Sequence, residues 1–567
     1  MSKNIYPQAL FLAAGLAMMV VNHVDGLLAQ TKLDFQPTSK QQSAARSAIT
    51  DAQLRSHIKY LADDLLEGRA PGSQGDQLAQ KYIQTQLQGL GMKPAGPGGS
   101  WFQNVPLVGV KTNPPETITF KFKNTDLKLK NLTDYVVTSG KPEPSAGIKN
   151  AEMVFVGYGI QAPEFQWDDY KDVDLTGKVL LMMNNDPSSD PDLFGGHRRM
   201  YYGRWDYKYL MAARKGAVGA IIIHTDQSAG YPFQVVQTSW SGEEFELADN
   251  SDPKMEMRGW LTETAAKRLV DLTGFGLDEL RERAEKRDFQ PIPLGSRVTI
   301  DLTCEIRKKQ TSNVLAKLPG SDPKLSKEYL IYMAHHDHIG VAETRNQDGD
   351  NIYNGAVDNA SGVAAFLAIA RAHAALRKPN KRSLLFASVG AEEQGLLGSK
   401  FFAQNPTIAP GNMAAVINMD GINFFGPTHD VNFIGYGKSS LDQIVSRTAQ
   451  FQNRIVTPDQ FPDKGYYYRS DQFSLAKIGV PGIYLHAGIR VIGKPDDWGK
   501  QQMEKWTQNH YHQPSDEYSE QWDLRGGIAD TQLLFYSGLQ IANSNDLPQW
   551  KKGDEFQAAR TDALKKR

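Results

Sequence analysis

The chain has 567 residues, a formal net charge of -1 at pH 7 and 22% charged side chains. Proteins that bind nucleic acids or anionic membrane surfaces broadly carry a clear basic excess, so this balance argues against both classes. The length is enough for several domains of about 100–200 residues each.

The first 29 residues have the pattern of a signal peptide. Lys3 is followed by an apolar stretch from Ala9 to Val21, and Ala29 is a candidate cleavage site. That stretch is shorter than the roughly 20 residues of a membrane helix, although an uncleaved anchor is the alternative. We therefore expect export to the periplasm or the extracellular space, with no stable membrane insertion after signal removal.

The next region begins polar and becomes helical. Residues 30–50 are predicted to be a linker, and residues 51–144 the first part of a larger domain. Two amphipathic helices are expected because apolar residues recur at helical spacing. These positions are Leu54, Ile58, Leu61 and Leu65 in the first helix and Ala79, Tyr82, Ile83 and Leu87 in the second.

Residues 145–300 form a second predicted unit, built from short strands, a helix and long loops. Strands are expected at 153–156, 179–182 and 220–223, and a helix at 206–215. Clustered residues of metal-binding type are missing from this region. Cys304 is the only cysteine, which excludes an intramolecular disulfide, and we expect it to be a small buried residue.

Residues 301–548 alternate apolar strands with helices, which predicts an α/β fold: a mixed, mostly parallel sheet flanked by helices. Strands are expected at 329–333, 384–389, 414–419 and 481–485, and helices at 360–376 and 529–542. Residues 549–567 are expected to be a tail with a basic, solvated end.

Polar residues of metal-binding type follow the predicted strands directly. These groups are His335-His336-Asp337-His338, Glu392-Glu393 and Asp420, with Asp358 at a helix start and His512 before the last helix. In open α/β sheets, ligands bind outside the carboxyl ends of the strands. We therefore expect these side chains to meet at one edge of the sheet.

Imidazole and carboxylate groups are suitable zinc ligands, and one carboxylate can bridge two cations. Two cations can share a water and lower its pKa, while a carboxylate outside the metal shell accepts the proton. The adjacent Glu392 and Glu393 suit this division into one ligand and one base. Each short motif alone is weak, and their joint placement after successive strands carries the prediction.

Five separated segments then match a known family in order. They are AHHDH at 334–338, NGAVDNASG at 354–362, GAEEQGLLGS at 390–399, NMDG at 418–421 and YHQPSDE at 511–517. The sequence resembles the co-catalytic zinc aminopeptidases and their glutamate carboxypeptidase relatives, in particular bacterial exported members. Residues 145–300 resemble the inserted, β-rich protease-associated domain of such members, which would interrupt a peptidase domain formed by 51–144 and 301–548.

The resemblance implies two Zn²⁺ ions per chain and peptide substrates. His335 and Asp420 would bind one ion, and Glu393 and His512 would bind the other. Asp358 would bridge the two ions.

The resemblance also implies roles outside the ligand set. Glu392 would be the general base, and Asp337 would hold His335 in orientation. Tyr511 matches a tyrosine that helps to stabilise an oxyanion, and Arg469 matches a segment that lines the substrate pocket.

Relatives often have histidine at the position of Gln472 and aspartate at that of Val357. Neither position is a ligand in the family pattern, so these departures bear on the shape of the pocket. We expect an aminopeptidase; the alternatives are a carboxypeptidase or dipeptidase of the same clan and a non-catalytic binding protein. The sequence predicts no oligomeric state.

Overall fold

The computed structural model describes residues 35–567 except 192, 197, 343, 344 and 347. The predicted signal peptide, residues 1–29, lies outside the described residues. Within the described ranges, no helix combines the length and the apolar character that crossing a membrane requires.

The described chain begins with helices α1 (Ser39–Ala48), α2 (Asp51–Leu61) and α3 (Gln74–Gly89). Helix α1 lies within the predicted linker, which corrects that expectation. Thr38 and the side chain of Gln41 form a reciprocal capping box, and buried alanines fix one face of the helix. Helix α2 ends before Leu65, which is 82% exposed rather than part of a buried helical face.

The middle of the chain contributes one large apolar core and part of a continuous sheet, which has 17 strands within the described residues. The first strands are β1 (Lys93–Pro94), β2 (Phe102–Asn113), β3 (Thr117–Phe122), β4 (Thr125–Lys130), β5 (Tyr135–Ser139), β6 (Ser145–Phe155), β7 (Gln161–Ala162), β8 (Trp167–Asp168), β9 (Val179–Met183), β10 (Gly219–His224), β11 (Glu243–Leu247) and β12 (Met257–Thr262). Strands β7 and β8 form a separate hairpin, and β1 pairs with Ala316 and Lys317. The helices are α4 (Trp205–Arg214), α5 (Asp226–Ala229), α6 (Phe233–Ser239), α7 (Glu263–Leu272) and α8 (Leu277–Ala284).

Strands β6, β9, β10 and β12 of this unit are parallel neighbours in that order, and β5 closes the edge in antiparallel orientation. The buried apolar cluster around them extends from Ile118 to Leu302. The insert limits 145 and 300 stay a prediction, since the cluster alone does not define a domain boundary.

One long strand, β13 (Ile292–Leu318), connects the middle part of this sheet to its C-terminal part. Its first part pairs with β6, its middle with β2, and its last residues, Val314–Leu318, with β17 (Ser383–Val389). Cys304 lies in this strand and is partly exposed, so the expectation of a buried cysteine was wrong. At Cys304 the strand pairs with Thr112 of β2, directly after its pairing with β6 ends at Thr303.

The C-terminal part of the sheet contains the predicted α/β strands. They are β14 (Tyr329–His335), β17, β18 (Met413–Asn418), β19 (Asp430–Ile434), β20 (Ile455–Pro458) and β21 (Gly482–Ala487), with a separate hairpin of β15 (Gly340–Val341) and β16 (Ile352–Tyr353). The order β17-β14-β18-β21 is parallel throughout, and β13 and β19 flank it in antiparallel orientation. The predicted mixed, mostly parallel sheet is therefore confirmed.

Helices cover both faces of this sheet. They are α9 (Gly362–Ala374), α10 (Leu397–Gln404), α11 (Leu441–Phe451), α12 (Gln472–Ala476), α13 (Trp498–Asn509), α14 (Arg525–Asn543) and α15 (Gln557–Lys565). The chain end is folded rather than wholly solvated: Arg560 is buried in α15, and Arg567 pairs with Glu328. The predicted solvated end holds for Lys565, Lys566 and Arg567, all of which are exposed.

Candidate metal centre

The predicted ligands meet where β14, β17 and β18 end. The parallel register aligns His335 with Val389 and Met333 with Asn418, so the residues after each strand emerge side by side. This places His335, the Glu392-Glu393 pair and Asp420 at one edge, as the strand-end rule predicts.

His335 lies at the centre of one half of the site and is 1% exposed. Its Nε2 lies 3.3 Å from Oδ1 of Asp358 and 3.4 Å from Oδ1 of Asp420. These three ligand atoms lie within 4.8 Å of one another, which is the spacing of groups that can share a cation. Oε2 of Glu392 is farther away, at 3.9 Å.

The second half of the site uses the other oxygen of Asp358. Nε2 of His512 lies 3.3 Å from Oδ2 of Asp358 and 3.0 Å from Oε2 of Glu393. Asp358 therefore directs one oxygen to His335 and the other to His512. This is the arrangement that a carboxylate bridging two cations requires.

His338 provides a further imidazole in this second half. Its Nδ1 lies 2.5 Å from Oε1 of Glu393, and His338, Asp358 and Glu393 form a second group of atoms close enough for a metal ion. The sequence did not rank His338 above the other spare histidines. Only its distance from Glu393 separates it from His336, which contacts Asp76 and Ser388 instead.

The loop before Asp358 is held on both sides. Gly355 has φ +56, and a Cβ there would lie 2.2 Å from the Asp358 carbonyl oxygen, so the tight turn requires glycine. The carboxylate of Asp516 accepts hydrogen bonds from the amides of Val357 and Asp358 at 3.0 and 3.1 Å. Asp516 thus ties the Asp358 loop to the segment that carries His512.

Asp337 contacts two other segments of the site. Its Oδ1 lies 3.8 Å from Nδ1 of His335, and its carboxylate accepts hydrogen bonds from the amides of Glu392 and Glu393 at 3.0 and 3.3 Å. The carboxylate is too far from His335 for a hydrogen bond, and the main-chain carbonyl of Asp337 lies nearer, 3.3 Å from Nδ1, so the orienting role of the side chain stays a prediction. The two amide bonds were not foreseen, because they depend on the pairing of β14 with β17.

Asp420 is oriented by neighbours from a later part of the chain. Ser470 donates a 2.6 Å hydrogen bond to its Oδ2, and the hydroxyl of Tyr484 lies 3.5 Å from the same atom. Gln472, the departure from the family pattern, accepts from Asn418 and donates to the Tyr467 carbonyl. It therefore acts within the wall behind Asp420 and has no contact with the ligand atoms.

The charges of the site are strongly coupled. Burial raises the pKa of the Glu392 carboxyl well above its usual range. Burial acts on Asp358 in the same direction, but the imidazoles of His335 and His512 outweigh it and hold the pKa of this carboxyl well below its usual range. A carboxylate that stays ionised beside two imidazoles is a suitable cation ligand.

Arg469 lies beside the cluster, and Arg199 contacts the segment that precedes Arg469. Nη2 of Arg469 lies 3.4 Å from the hydroxyl of Tyr511, whose ring stacks on His512 with centroids 3.9 Å apart. Arg199, from the middle of the chain, is 8% exposed and donates through its amide to the Pro462 carbonyl at 2.9 Å. Among the described residues, neither guanidinium has a carboxylate partner in an ion pair.

The residues present suit a pair of metal ions. The donor set contains only imidazole nitrogens and carboxylate oxygens, which are zinc-type ligands. Nε2 of His512 is buried and faces two carboxylate oxygens, those of Glu393 at 3.0 Å and Asp358 at 3.3 Å. A nitrogen that faces only carboxylate oxygens is placed as a ligand would be around a shared cation.

The sheet and the imidazole–carboxylate cluster at its edge define an α/β domain with a candidate metal-binding site. Residues 313–536 match the sequence profile described as Peptidase family M28. The family recognised in the motifs is thereby confirmed for the region that carries the site.

Individual relatives cover shorter stretches. An aminopeptidase, NAALADL1, from Rattus norvegicus is 35% identical over 124 residues, which is 20% of this chain and 14% of that protein. A probable zinc metalloprotease from Pyrenophora teres f. teres is 41% identical over 110 residues, 19% of this chain and 22% of that protein. The chain thus spans less than a quarter of the length of these relatives.

Among solved structures, an aminopeptidase from Aneurinibacillus sp. strain AM-1 aligns with a TM-score of 0.50 and 19% identity. The alignment covers 89% of this chain and 97% of that chain. At this identity the likeness shows a shared fold, and it includes the middle unit as well as the domain that carries the site.

Proposed function

We propose that the chain is a zinc-dependent exopeptidase, with aminopeptidase action on N-terminal residues as the function that fits best. One observation carries the proposal: the two oxygens of Asp358 face His335 and His512 separately, each at 3.3 Å. A single ion needs no such division, whereas a co-catalytic pair does.

In this proposal two zinc ions would occupy the site. His335 and Asp420 would hold the first, Glu393 and His512 would hold the second, and Asp358 would be shared. Bound zinc lowers the pKa of a coordinated water toward about 7 and polarises a carbonyl group. His338 is assigned to Glu393, whose Oε1 it contacts at 2.5 Å, so that Oε2 stays directed at His512.

Glu392 is the proposed general base. It lies at the site but farther from His335 than the carboxylates of Asp358 and Asp420 do, at 3.9 Å against 3.3 and 3.4 Å. A carboxylate beside the metal ligands that is not itself a ligand can accept a proton from water and donate it to the leaving amine. Tyr511, whose ring stacks on His512, is proposed to donate a hydrogen bond to the oxyanion.

A second candidate is a carboxypeptidase or dipeptidase of the same clan. Arg469 favours it, since its guanidinium contacts Tyr511 next to His512 and has no carboxylate partner among the described residues. A guanidinium suits a substrate carboxylate. We rank it second because the carboxylates of Glu392 and Asp420 lie at the candidate metal centre itself, where they can bind a substrate α-ammonium group.

The middle unit is proposed to be a protease-associated insert that borders the cleft. Tyr201 packs against Phe473 with ring centroids 5.1 Å apart, and Arg199 contacts the segment before Arg469. Export to the periplasm or the extracellular space is proposed from the N-terminal sequence alone.

Metal analysis combined with a peptide-library digest read by mass spectrometry tests the proposed function. We expect two zinc equivalents per chain and stepwise loss of N-terminal residues. Internal cleavage, loss from the carboxyl end, or a protein with full activity in excess chelator would contradict the proposal.

A further inference from the structure

Arg69 is a buried cation that contacts the loops of the candidate metal centre. It is 1% exposed, and its guanidinium donates to four main-chain carbonyls. The acceptors are His336 at 2.9 Å, Asn354 at 2.7 Å, Gly355 at 3.1 Å and Leu61. Among the described residues, Arg69 forms no ion pair.

The turn that delivers Arg69 is conformationally unusual. Glu67, Gly68 and Arg69 have φ values of +46, +61 and +52. Positive φ is unfavourable for the two residues with a Cβ and persists only where the surroundings enforce it. At Gly68 a Cβ would lie 2.5 Å from the Tyr353 carbonyl oxygen, so the turn packs closely against the hairpin of β15 and β16.

The acceptors of Arg69 belong to the two loops that carry the central ligands. His336 follows His335 directly, and Gly355 begins the turn that ends at Asp358. The side chain of Asn354 strengthens the second contact by donating to the Ala62 carbonyl at 2.8 Å and to Oδ1 of Asp64 at 2.7 Å. The segment from Leu61 to Arg69 therefore bonds to both loops at once.

We propose that Arg69, assisted by Asn354, is a positioning residue of the metal centre that sets the separation between the His335 loop and the Asp358 loop. The inference rests on the proposed metal site. A planar fork with fixed donors can bond several carbonyls in one geometry, whereas a lysine ammonium cannot. Residues that orient metal ligands typically account for a tenfold to hundredfold difference in metal affinity, by order of magnitude.

Arg69→Lys separates geometry from charge, because it keeps the positive charge and loses the fork. A neutral replacement would confuse the two, since loss of a nearby cation by itself favours cation binding. Asn354→Ala is the second variant, and it leaves the buried charge untouched.

Matched controls exist far from the site. Arg560 is 2% exposed and donates to the carbonyls of Met413 and Pro548, so Arg560→Lys is the same change in a similar environment. Asn543 donates to Asn380 and to the Leu539 carbonyl, and Asn543→Ala is the control for Asn354→Ala.

The test measures zinc affinity by competition with a chromophoric chelator, together with the visible absorption spectrum of the Co²⁺-loaded protein. We expect Arg69→Lys to lower zinc affinity by at least tenfold and Asn354→Ala by severalfold, with an altered cobalt spectrum in both. The controls should match the unaltered protein in both measurements.

Unchanged affinity and spectrum in Asn354→Ala and in folded Arg69→Lys would overturn the inference. If Arg69→Lys does not fold, Asn354→Ala decides the outcome alone. Failure of the unaltered protein to bind zinc would instead overturn the proposed function on which the inference rests, so the two failures are distinguishable.

Discussion

The carboxylate of Asp337 accepts a hydrogen bond from the main-chain amide of Glu392 at 3.0 Å. The proposed base is thus held by a residue that lies two positions after the ligand His335, in the loop that follows the neighbouring strand. The amide of Glu393 donates to the same carboxylate at 3.3 Å, so one buried side chain orients the ligand loop and the base loop together.

Asp337→Asn is expected to reduce kcat/KM by about 10- to 100-fold. The amide group of asparagine can present only one oxygen, so one of the two main-chain N–H donors loses its acceptor. Steady-state kinetics and metal content check this. Asp430→Asn is the matched control, because Asp430 also accepts from two amides, those of Ile489 and Arg490, outside the site. Equal effects of the two substitutions would count against a specific role of Asp337.

Glu392→Gln is expected to lower kcat by roughly 10²–10⁴-fold while the zinc content stays near that of the unaltered protein. The glutamine keeps the size of the side chain but cannot accept the proton of the water. Glu393→Gln should instead lower the zinc content, since Glu393 is a proposed ligand. If Glu392→Gln turned over substrate normally, the base would have to be another group.

His512→Gln and His338→Gln distinguish the two imidazoles near Glu393. We expect His512→Gln to bind about one zinc ion per chain, because it removes a direct ligand of the second ion. His338→Gln should retain both ions with weaker binding of the second. Equilibrium dialysis followed by elemental analysis gives the stoichiometry. The reverse result would assign His338 as the ligand and would exclude the proposed role of His512.

Peptides blocked at one end test whether the amino end or the carboxyl end of the substrate binds at the site. An aminopeptidase should cleave peptides with an amidated carboxyl end and fail on N-acetylated ones, since acetylation removes the α-ammonium charge. Arg469→Met should then change KM by less than about twofold for either type of carboxyl end. Cleavage of N-acetylated peptides, with a KM that rises tenfold in Arg469→Met only for free carboxylates, would favour the carboxypeptidase or dipeptidase.

His373 is predicted to make stability depend on pH. Burial lowers its pKa from 6.5 to about 3, and it is bonded to Tyr332 and Asn380. Because the folded-state pKa is depressed, its stabilisation is complete above pH 6.5 and is lost as the pH falls toward 3.

The loss from His373 between pH 7 and pH 5 is about 2 kcal/mol. Urea unfolding of the metal-free protein measures it. His373→Gln should lose that much less free energy of unfolding over the same interval, and parallel pH profiles of the two proteins would contradict the prediction.

The local chemistry of the site could be predicted from the sequence. Apolar strands followed at once by His335, Glu392, Glu393 and Asp420 specify residue types and strand ends, and both depend on short-range pattern. The α/β class followed from the same alternation of strands and helices. Capping chemistry at Thr38 and Gln41 was equally local but was overlooked in a polar stretch.

Only the tertiary structure decided which side chains share a contact. Asp337 with Glu392, Asp516 with Asp358, and Ser470 with Asp420 join segments distant in sequence, and no periodicity encodes such pairs. Arg69 is the clearest case, because its four acceptors are main-chain carbonyls, which every residue possesses. Ligand identity is a property of the side chain, whereas ligand position depends on the register of the sheet and on the buried donors beneath it.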